Sequence, residues 1–457
     1  MDDIKTLYGR QRSYFEAGNT RPYEFRRQQL QKLKAAIKTY EPRILQALHT
    51  DLKKHPLEAF SSEVGLLFME ISHTLSQLRR WMRAKRGGAS LVQFPSSSKV
   101  VKEPLGLALI IAPWNYPFQL VMAPLVAAIA AGNCAMLKPS ELAPATAAVI
   151  ENLIRETFDS AYVAVLSGEG QTVIPAAMQH RFDHVLFTGS TAVGKKIMEM
   201  AAPHLTPVTL ELGGKSPCIV DETANLEVAV KRIAWGKFWN AGQTCIAPDY
   251  ILVKEEIKDK LVDGLQRAIT QFFGPEPGKS DDYPRIINLK RFDTIITYLK
   301  EGTVLSGGQF NRDERYIAPT LLTNVPLTAK VMQEEIFGPV LPILTYKNVE
   351  EAKAIISKNP YPLSLYIFTN NSVTEKSFTT DIAFGGGCIN NTLIHFANMD
   401  TPFGGVGYSG MGRYHGKYGF DTFSHHKTIV KSGTWLDVAM KYAPFGNKLK
   451  MAKWFMK

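Results

Sequence analysis

At 457 residues, 45% hydrophobic and 21% charged, the chain has the make-up of a globular protein with room for two or three cores. Its net charge of +11 comes from scattered lysines with no recurring arginine–aromatic cluster, so no nucleic-acid partner is expected. Four cysteines (Cys134, Cys218, Cys245, Cys388) are too few for a disulfide framework and show no metal-ligand spacing with the histidines, so the expectation is a cytoplasmic protein without a metal.

The start, Met1 to Lys5, lacks the apolar core of a signal peptide. Residues 1–85 read as helices, with apolar residues at three-and-four spacing over Tyr23–Thr50 and Ser61–Arg83. Ser96–Lys102 is polar and β-branched and reads as an extended arm. From Leu105 to Leu137 no residue is charged, which raises a membrane span. Pro113, Asn115, Pro117, Pro124, Gly132 and Asn133 break that run, and a buried strand followed by a buried helix fits it better.

Short apolar runs then alternate with helical stretches. The runs are Leu107–Ala112, Cys134–Leu137, Tyr162–Leu166 and His184–Thr188; the helices are Pro117–Ala131, Ala143–Phe158, Gln171–Met178 and Thr191–Ala202. This pattern predicts a doubly wound parallel sheet with a ligand crevice at the carboxyl ends of its strands. The second half repeats it, with strands at Ser216–Val220, Tyr250–Val253, Val340–Leu344, Ser364–Phe368 and Gly387–Asn390, and reads as a second α/β domain. Between Lys441 and Lys457 there are five lysines and no acid, with Phe445, Leu449, Ala452 and Met456 at helical spacing. Such a helix either docks on the body or lies on an anionic membrane surface.

Chemistry concentrates in a few stretches. Cys245 follows a turn, Asn240-Ala-Gly-Gln-Thr, where Gly242 permits a close bend and Gln243 and Thr244 supply polar groups. That setting suits a nucleophilic thiol, or a small buried one. Glu211 ends the otherwise apolar run Val208–Leu210, where a carboxylate needs work or a partner: a proton acceptor facing Cys245, or an ion pair with Lys215. Asn115, between Pro113 and Pro117, offers a fixed amide N–H to an oxyanion. Gly189-Ser-Thr-Ala-Val-Gly194 follows a strand and opens a helix, so its amides can meet a pyrophosphate. It also approaches the phosphate-loop pattern through Lys195, although Lys196 stands where a magnesium-binding hydroxyl is needed; a P-loop nucleotide hydrolase is the contrasting class. Lys138 and Glu141 suit ribose hydroxyls, and the acid disfavours a 2′-phosphate. In Glu334-Glu-Ile-Phe-Gly-Pro339 one acid suits a ribose and Phe337 a flat ring.

Taken in order, Pro113-Trp-Asn-Tyr-Pro117, Lys138-Pro-Ser-Glu141, Phe187-Thr-Gly-Ser-Thr-Ala-Val-Gly194, Glu211-Leu-Gly-Gly-Lys-Ser-Pro217, Gly242-Gln-Thr-Cys245, Glu334-Glu-Ile-Phe-Gly-Pro339 and Pro402-Phe-Gly-Gly405 resemble the aldehyde dehydrogenase superfamily along nearly the whole chain. Cys245-Ile-Ala-Pro-Asp-Tyr250 and Ser409-Gly-Met-Gly-Arg-Tyr-His-Gly416 resemble its class 3, fatty-aldehyde branch. The resemblance implies an NAD(P)-binding domain (1–81 and 106–213), a catalytic domain (214–423), a small β bridging arm (82–105 and 424–433) and a basic tail (434–457). It further implies a homodimer that oxidises an aliphatic or aromatic aldehyde to the acid, with NAD, or alternatively NADP, as cofactor. Cys245 would be the nucleophile, Asn115 and the Cys245 N–H would hold the oxyanion, and Glu211 would activate the water that hydrolyses a thioester. Trp114, Lys138, Glu141, Gly189, Ser190, Gly194, Glu335 and Phe337 would form the cofactor site. The presence of Glu211 favours hydrolysis over acyl transfer to coenzyme A. The tail resembles the segment before the anchor of fatty-aldehyde dehydrogenases, implying peripheral membrane contact without a transmembrane span.

Overall fold

The apolar runs of the first half become one sheet in the computed structural model, which describes residues 3–88 and 93–456. Its six strands lie in the order Gly410–Met411, Val208–Glu211, His184–Thr188, Leu107–Ile111, Cys134–Lys138 and Val163–Val165. All neighbours are parallel except the pair made by Gly410–Met411. The order reverses at Leu107–Ile111, and a crevice opens there because the crossovers on either side leave in opposite directions. Thr188, Glu211 and Lys138 all stand at the carboxyl ends that face it.

Every residue of the helix Gln119–Ala131 is buried, which explains the long uncharged run: the helix lies against the sheet inside the core. Among the described residues no helix is long and apolar enough to cross a membrane. On the outer side, Tyr23–Leu52 places Leu30, Leu33, Ile37, Ile44 and Leu48 on one buried stripe, as the spacing requires. The predicted helix over Ser61–Arg83 is a π turn, Phe60–Val64, followed by the α-helix Gly65–Met82.

The second sheet has seven strands in the order Thr303–Ser306, Thr320–Thr323, Val340–Tyr346, Tyr250–Lys254, Pro217–Val220, Ser364–Phe368 and Gly386–Ile389, around a core of its own. Thr303–Ser306 and Thr320–Thr323 are not among the predicted strands. Each has only four residues, too few to develop a period, and the first is an exposed antiparallel edge.

Ser96–Pro104 pairs along its whole length with Ser424–Ser432, and Lys85–Arg86 completes a small antiparallel sheet. Residues 89–92 of the expected arm lie outside the described residues. Between these strands the chain returns to the first core, where Phe403, Tyr414, Phe420 and Phe423 are buried. The tail ends in a short helix, Lys448–Phe455, on which Leu449 is 65% exposed while Ala452 is half-buried and lines a cavity with Pro95 and Val430 of the arm.

Candidate active site

Cys245 sits on a loop fastened at several points. The helix Leu226–Phe238 runs into a turn in which Asn240, Ala241 and Gly242 all have positive φ. A Cβ on Gly242 would meet the carbonyl oxygen of Gly338 at 2.3 Å, so only glycine allows that approach. The Gln243 amide donates to the carbonyls of Asn240 and Arg285, both at 3.0 Å, and accepts from the Ile287 N–H at 2.9 Å. Thr244 Oγ1 meets the Tyr116 hydroxyl at 2.6 Å. These two side chains therefore brace the loop, and Thr244 also lines the cavity that Cys245 faces. Glu58, buried, anchors the Asn240 N–H at 2.9 Å.

The half-buried thiol looks onto two cavities that share one wall. One, about 250 Å³, is apolar and aromatic, with Tyr116, Trp235, Trp239, Leu393 and Phe396 among its lining. The other, about 310 Å³, is lined by Trp114, Asn115, Gly189, Ser190, Arg291, Glu335 and Phe337. Leu120, Thr188, Glu211, Leu212 and Cys245 belong to both.

Glu211 is the notable group on that wall. Neither carboxyl oxygen has a hydrogen-bond partner, and Lys215, the candidate ion-pair partner, instead joins Asp249 in a buried pair. Burial alone pushes the Glu211 carboxyl well above its usual range. Burial also raises the Cys245 thiol, and Glu335 and Glu211 raise it further, against the pull of the backbone N–H groups of Cys245 and Ile246. Asn115 is held from both sides: its Nδ2 donates to the Gln243 carbonyl at 3.1 Å, and its own carbonyl accepts from Lys54 at 3.0 Å and Asn240 at 2.9 Å. Lys54 is in turn paired with Glu63 at 2.6 Å, and both are fully buried. One N–H of the Asn115 amide remains for a ligand.

The second cavity fits a nicotinamide nucleotide. Trp114 and Phe337 meet edge to face at 5.3 Å. Glu335 has one oxygen without a partner; burial and Asp249 push it up to about 8, against the pull of Arg291. Ser190 caps the helix Thr191–Ala201, whose first amides are free for an anion. Lys138 and Glu141 form a 2.8 Å ion pair further along the carboxyl edge, outside the cavity itself. A Cβ on Gly194 would meet Leu212 at 2.8 Å, so glycine lets the helix seat closely there. The residues that sequence reasoning missed are Lys54, Glu63, Tyr116, Thr188, Arg291 and Tyr414. Arg291 lies in no motif and Tyr414 within Ser409–Gly416, which carries no sign of a cavity; only the tertiary fold brings them to the site.

Over residues 2–429 the sequence matches the aldehyde dehydrogenase family. The chain belongs to that family. It is 49% identical over 462 residues to the 4,4'-diaponeurosporen-aldehyde dehydrogenase of Staphylococcus aureus (strain NCTC 8325 / PS 47), with 100% of both chains covered. It is 45% identical over 450 residues to aldehyde dehydrogenase family 3 member A2 of Mus musculus, covering 98% of this chain and 93% of that one. Among solved structures, the substrate-bound state of Staphylococcus aureus AldH superposes with a TM-score of 0.98 at 48% identity, covering 100% of each chain. The NAD+ complex of betaine aldehyde dehydrogenase from Staphylococcus aureus superposes with a TM-score of 0.84 at 26% identity, covering 97% of this chain and 89% of that one. This aldehyde dehydrogenase is thus an oxidoreductase that oxidises an aldehyde with a nicotinamide cofactor, and the class 3 resemblance holds. The P-loop hydrolase reading falls with it.

Proposed function

We propose that the enzyme oxidises apolar aliphatic or aromatic aldehydes of medium to long chain to the free acid, preferring NAD to NADP. The observation that carries this reading is the shared wall, where a thiol and an unpartnered buried carboxylate stand between an apolar cavity and a polar one. In the mechanism, the Cys245 thiol gives its proton to water and its sulfur bonds to the aldehyde carbon as the C=O π pair moves to oxygen. The Asn115 amide and the Cys245 N–H hold the resulting oxyanion, which is where preorganised donors lower a barrier most. Glu335, Trp114 and Phe337 would hold a nicotinamide in the polar cavity, where it would supply the hydride acceptor that turns the Cys245 adduct into an acyl thioester. Glu211 then takes a proton from water as the water oxygen bonds to the acyl carbon and the C–S bond breaks. Lys138 and Glu141 hold the adenosine ribose, Gly189 and Ser190 the pyrophosphate, and Glu335, with Trp114 and Phe337, the nicotinamide side. The Glu141 carboxylate supports NAD, because it would repel a 2′-phosphate.

The same reading takes the paired strands Ser96–Pro104 and Ser424–Ser432 as the arm of a homodimer, supported by the exposed outer edge of Ser424–Ser432, which pairs with no further strand among the described residues. It takes the lysine-rich tail as a peripheral contact with anionic lipid. Free thiols at all four cysteines accord with a reducing cytoplasm. The experiment is NADH appearance across an aldehyde chain-length series, with the acid product identified by mass, beside Cys245→Ala. Each added methylene that enters the apolar cavity is worth about 0.8 kcal/mol, or about fourfold in kcat/KM, until the cavity is full. Turnover that survives in Cys245→Ala, or an acyl-CoA formed in place of the acid, overturns the reading.

A further inference from the structure

Most polar side chains around the apolar cavity are already committed. Ser61 and Ser62 donate to the carbonyls of Leu57 and Glu58, both at 2.6 Å, and Thr244 is tied to Tyr116. Among the described residues lining that cavity, buried side-chain oxygens without a partner belong to Thr188, Glu211 and Tyr414. Thr188 and Glu211 are register partners on neighbouring parallel strands. Tyr414 arrives from the other side, on the chain that leaves Gly410–Met411, and Gly410 is the antiparallel partner of Glu211.

Tyr414 is also held in place. Its backbone makes a two-way bridge with Phe403, at 3.0 and 2.8 Å, and the rings of Phe403 and His415 meet its ring edge to face at 6.1 and 4.5 Å. The ring is 1% exposed, yet its hydroxyl touches no protein acceptor. A phenol buried this way costs free energy unless something in the cavity completes it. The hydroxyl and the carboxylate line one cavity, each without a protein partner, an arrangement that a bridging water satisfies. A cavity of about 250 Å³ has room for such a water beside an acyl group.

We propose that the Tyr414 hydroxyl is a positioning residue for thioester hydrolysis: it donates a hydrogen bond to the water whose proton Glu211 takes. The inference rests on the role given to Glu211 above. As the water O–H breaks, its proton goes to Glu211 and its oxygen bonds to the acyl carbon. The C–S electron pair returns to Cys245, and the acid leaves. Tyr414 gives up no proton; its O–H supports the charge that grows on the water oxygen and aims the remaining lone pair at the carbon.

The test is Tyr414→Phe, which removes one oxygen and leaves the ring in its seat. Expected are an unchanged single-turnover rate of NADH formation, an unchanged kcat/KM for the aldehyde, and a decay of the Cys245 acyl adduct, followed by intact mass after quenching, that is slower by about 10-fold or more. Hydroxylamine, a stronger nucleophile, should discharge the adduct in variant and wild type at similar rates. Equal slowing of NADH formation and adduct decay, or no slowing of either, overturns the proposal. If Tyr414→Phe melts, 3-fluorotyrosine at 414 replaces it: a stronger donor of nearly the same size should speed adduct decay alone, and an unchanged decay is a refutation. Glu211→Gln separates the two readings. Normal adduct decay in Glu211→Gln sinks the general-base role, whereas slow decay there with normal decay in Tyr414→Phe sinks the tyrosine alone.

Discussion

Lys215 stands just beyond Glu211 in sequence, yet its ammonium goes to Asp249 and leaves the Glu211 carboxylate with no counter-charge. The separation makes one carboxylate structural and leaves the other chemically available. Asp249 spends both oxygens, one on Lys215 and one on the Ile336 N–H at 3.1 Å. Glu211 has no such claims, and burial makes it a strong base.

Glu211→Gln should keep single-turnover NADH formation and lose steady-state turnover by about 100-fold or more, with acyl enzyme accumulating. The sign of the pH effect follows from the raised pKa. The base works only when ionised, so in the wild type adduct decay falls as pH drops through that raised value, well above the usual carboxylate range. Cys245 and Tyr414 face Glu211 across the apolar cavity, and Glu335 and Arg291 across the polar one. Rates of adduct decay from pH 5 to 9 check this: the acid limb should vanish in Glu211→Gln.

Lys215→Met removes one partner of a buried pair and strands Asp249 as an unpaired buried charge. A loss of about 3–5 kcal/mol is expected in denaturant unfolding. Because Lys215 also donates to the Glu334 carbonyl at 3.1 Å, the variant should loosen the loop that carries Glu335 and weaken NAD binding, read by titration of the folded protein.

Glu70 accepts the Gly416 N–H at 2.9 Å, and burial pushes its carboxyl up to about 7. The folded state therefore holds this proton more tightly than the unfolded chain does. The stability this confers is complete below the unfolded value of about 4.3, and is lost as pH rises to about 7. Glu70→Gln keeps the acceptor and has no charge to bury, so the melting temperature of the variant relative to wild type should climb across that window and level off above it. The span is about 4 kcal/mol. Melts at pH 5 and pH 8 decide it; equal differences at the two would refute it.

The tail offers Lys448, Lys450 and Lys453 beside exposed Leu449, Met451 and Trp454. Reversing the three lysines to Glu should abolish co-sedimentation with vesicles rich in anionic lipid, at about 1 kcal/mol per charge, and leave the oxidation of a water-soluble aldehyde unchanged. Wild-type binding should also weaken as salt rises. Binding that ignores both changes would refute the lipid assignment.

Much of this molecule is legible along the chain. The alternation of apolar runs with helical stretches determines the parallel sheets, because a strand covered on both faces must be apolar throughout, as Leu107–Ile111 is. The candidate nucleophile, the base, the amide donor and the glycine turn were likewise visible, since each sits at the end of a regular element where a local pattern marks it. What the chain order concealed are choices between partners. Whether Glu211 pairs with Lys215 depends on Asp249 arriving from another strand end, and that depends on the second sheet. Gln243 and Thr244 are tied into the loop because Arg285, Ile287 and Tyr116 come to meet them from distant segments. Tyr414 reaches the cavity only because Gly410–Met411 adds to the edge of the first sheet beside Glu211. Periodicity and caps are properties of neighbours in sequence, whereas the partner of a buried charge is decided by whichever group the packing brings within a hydrogen bond of it.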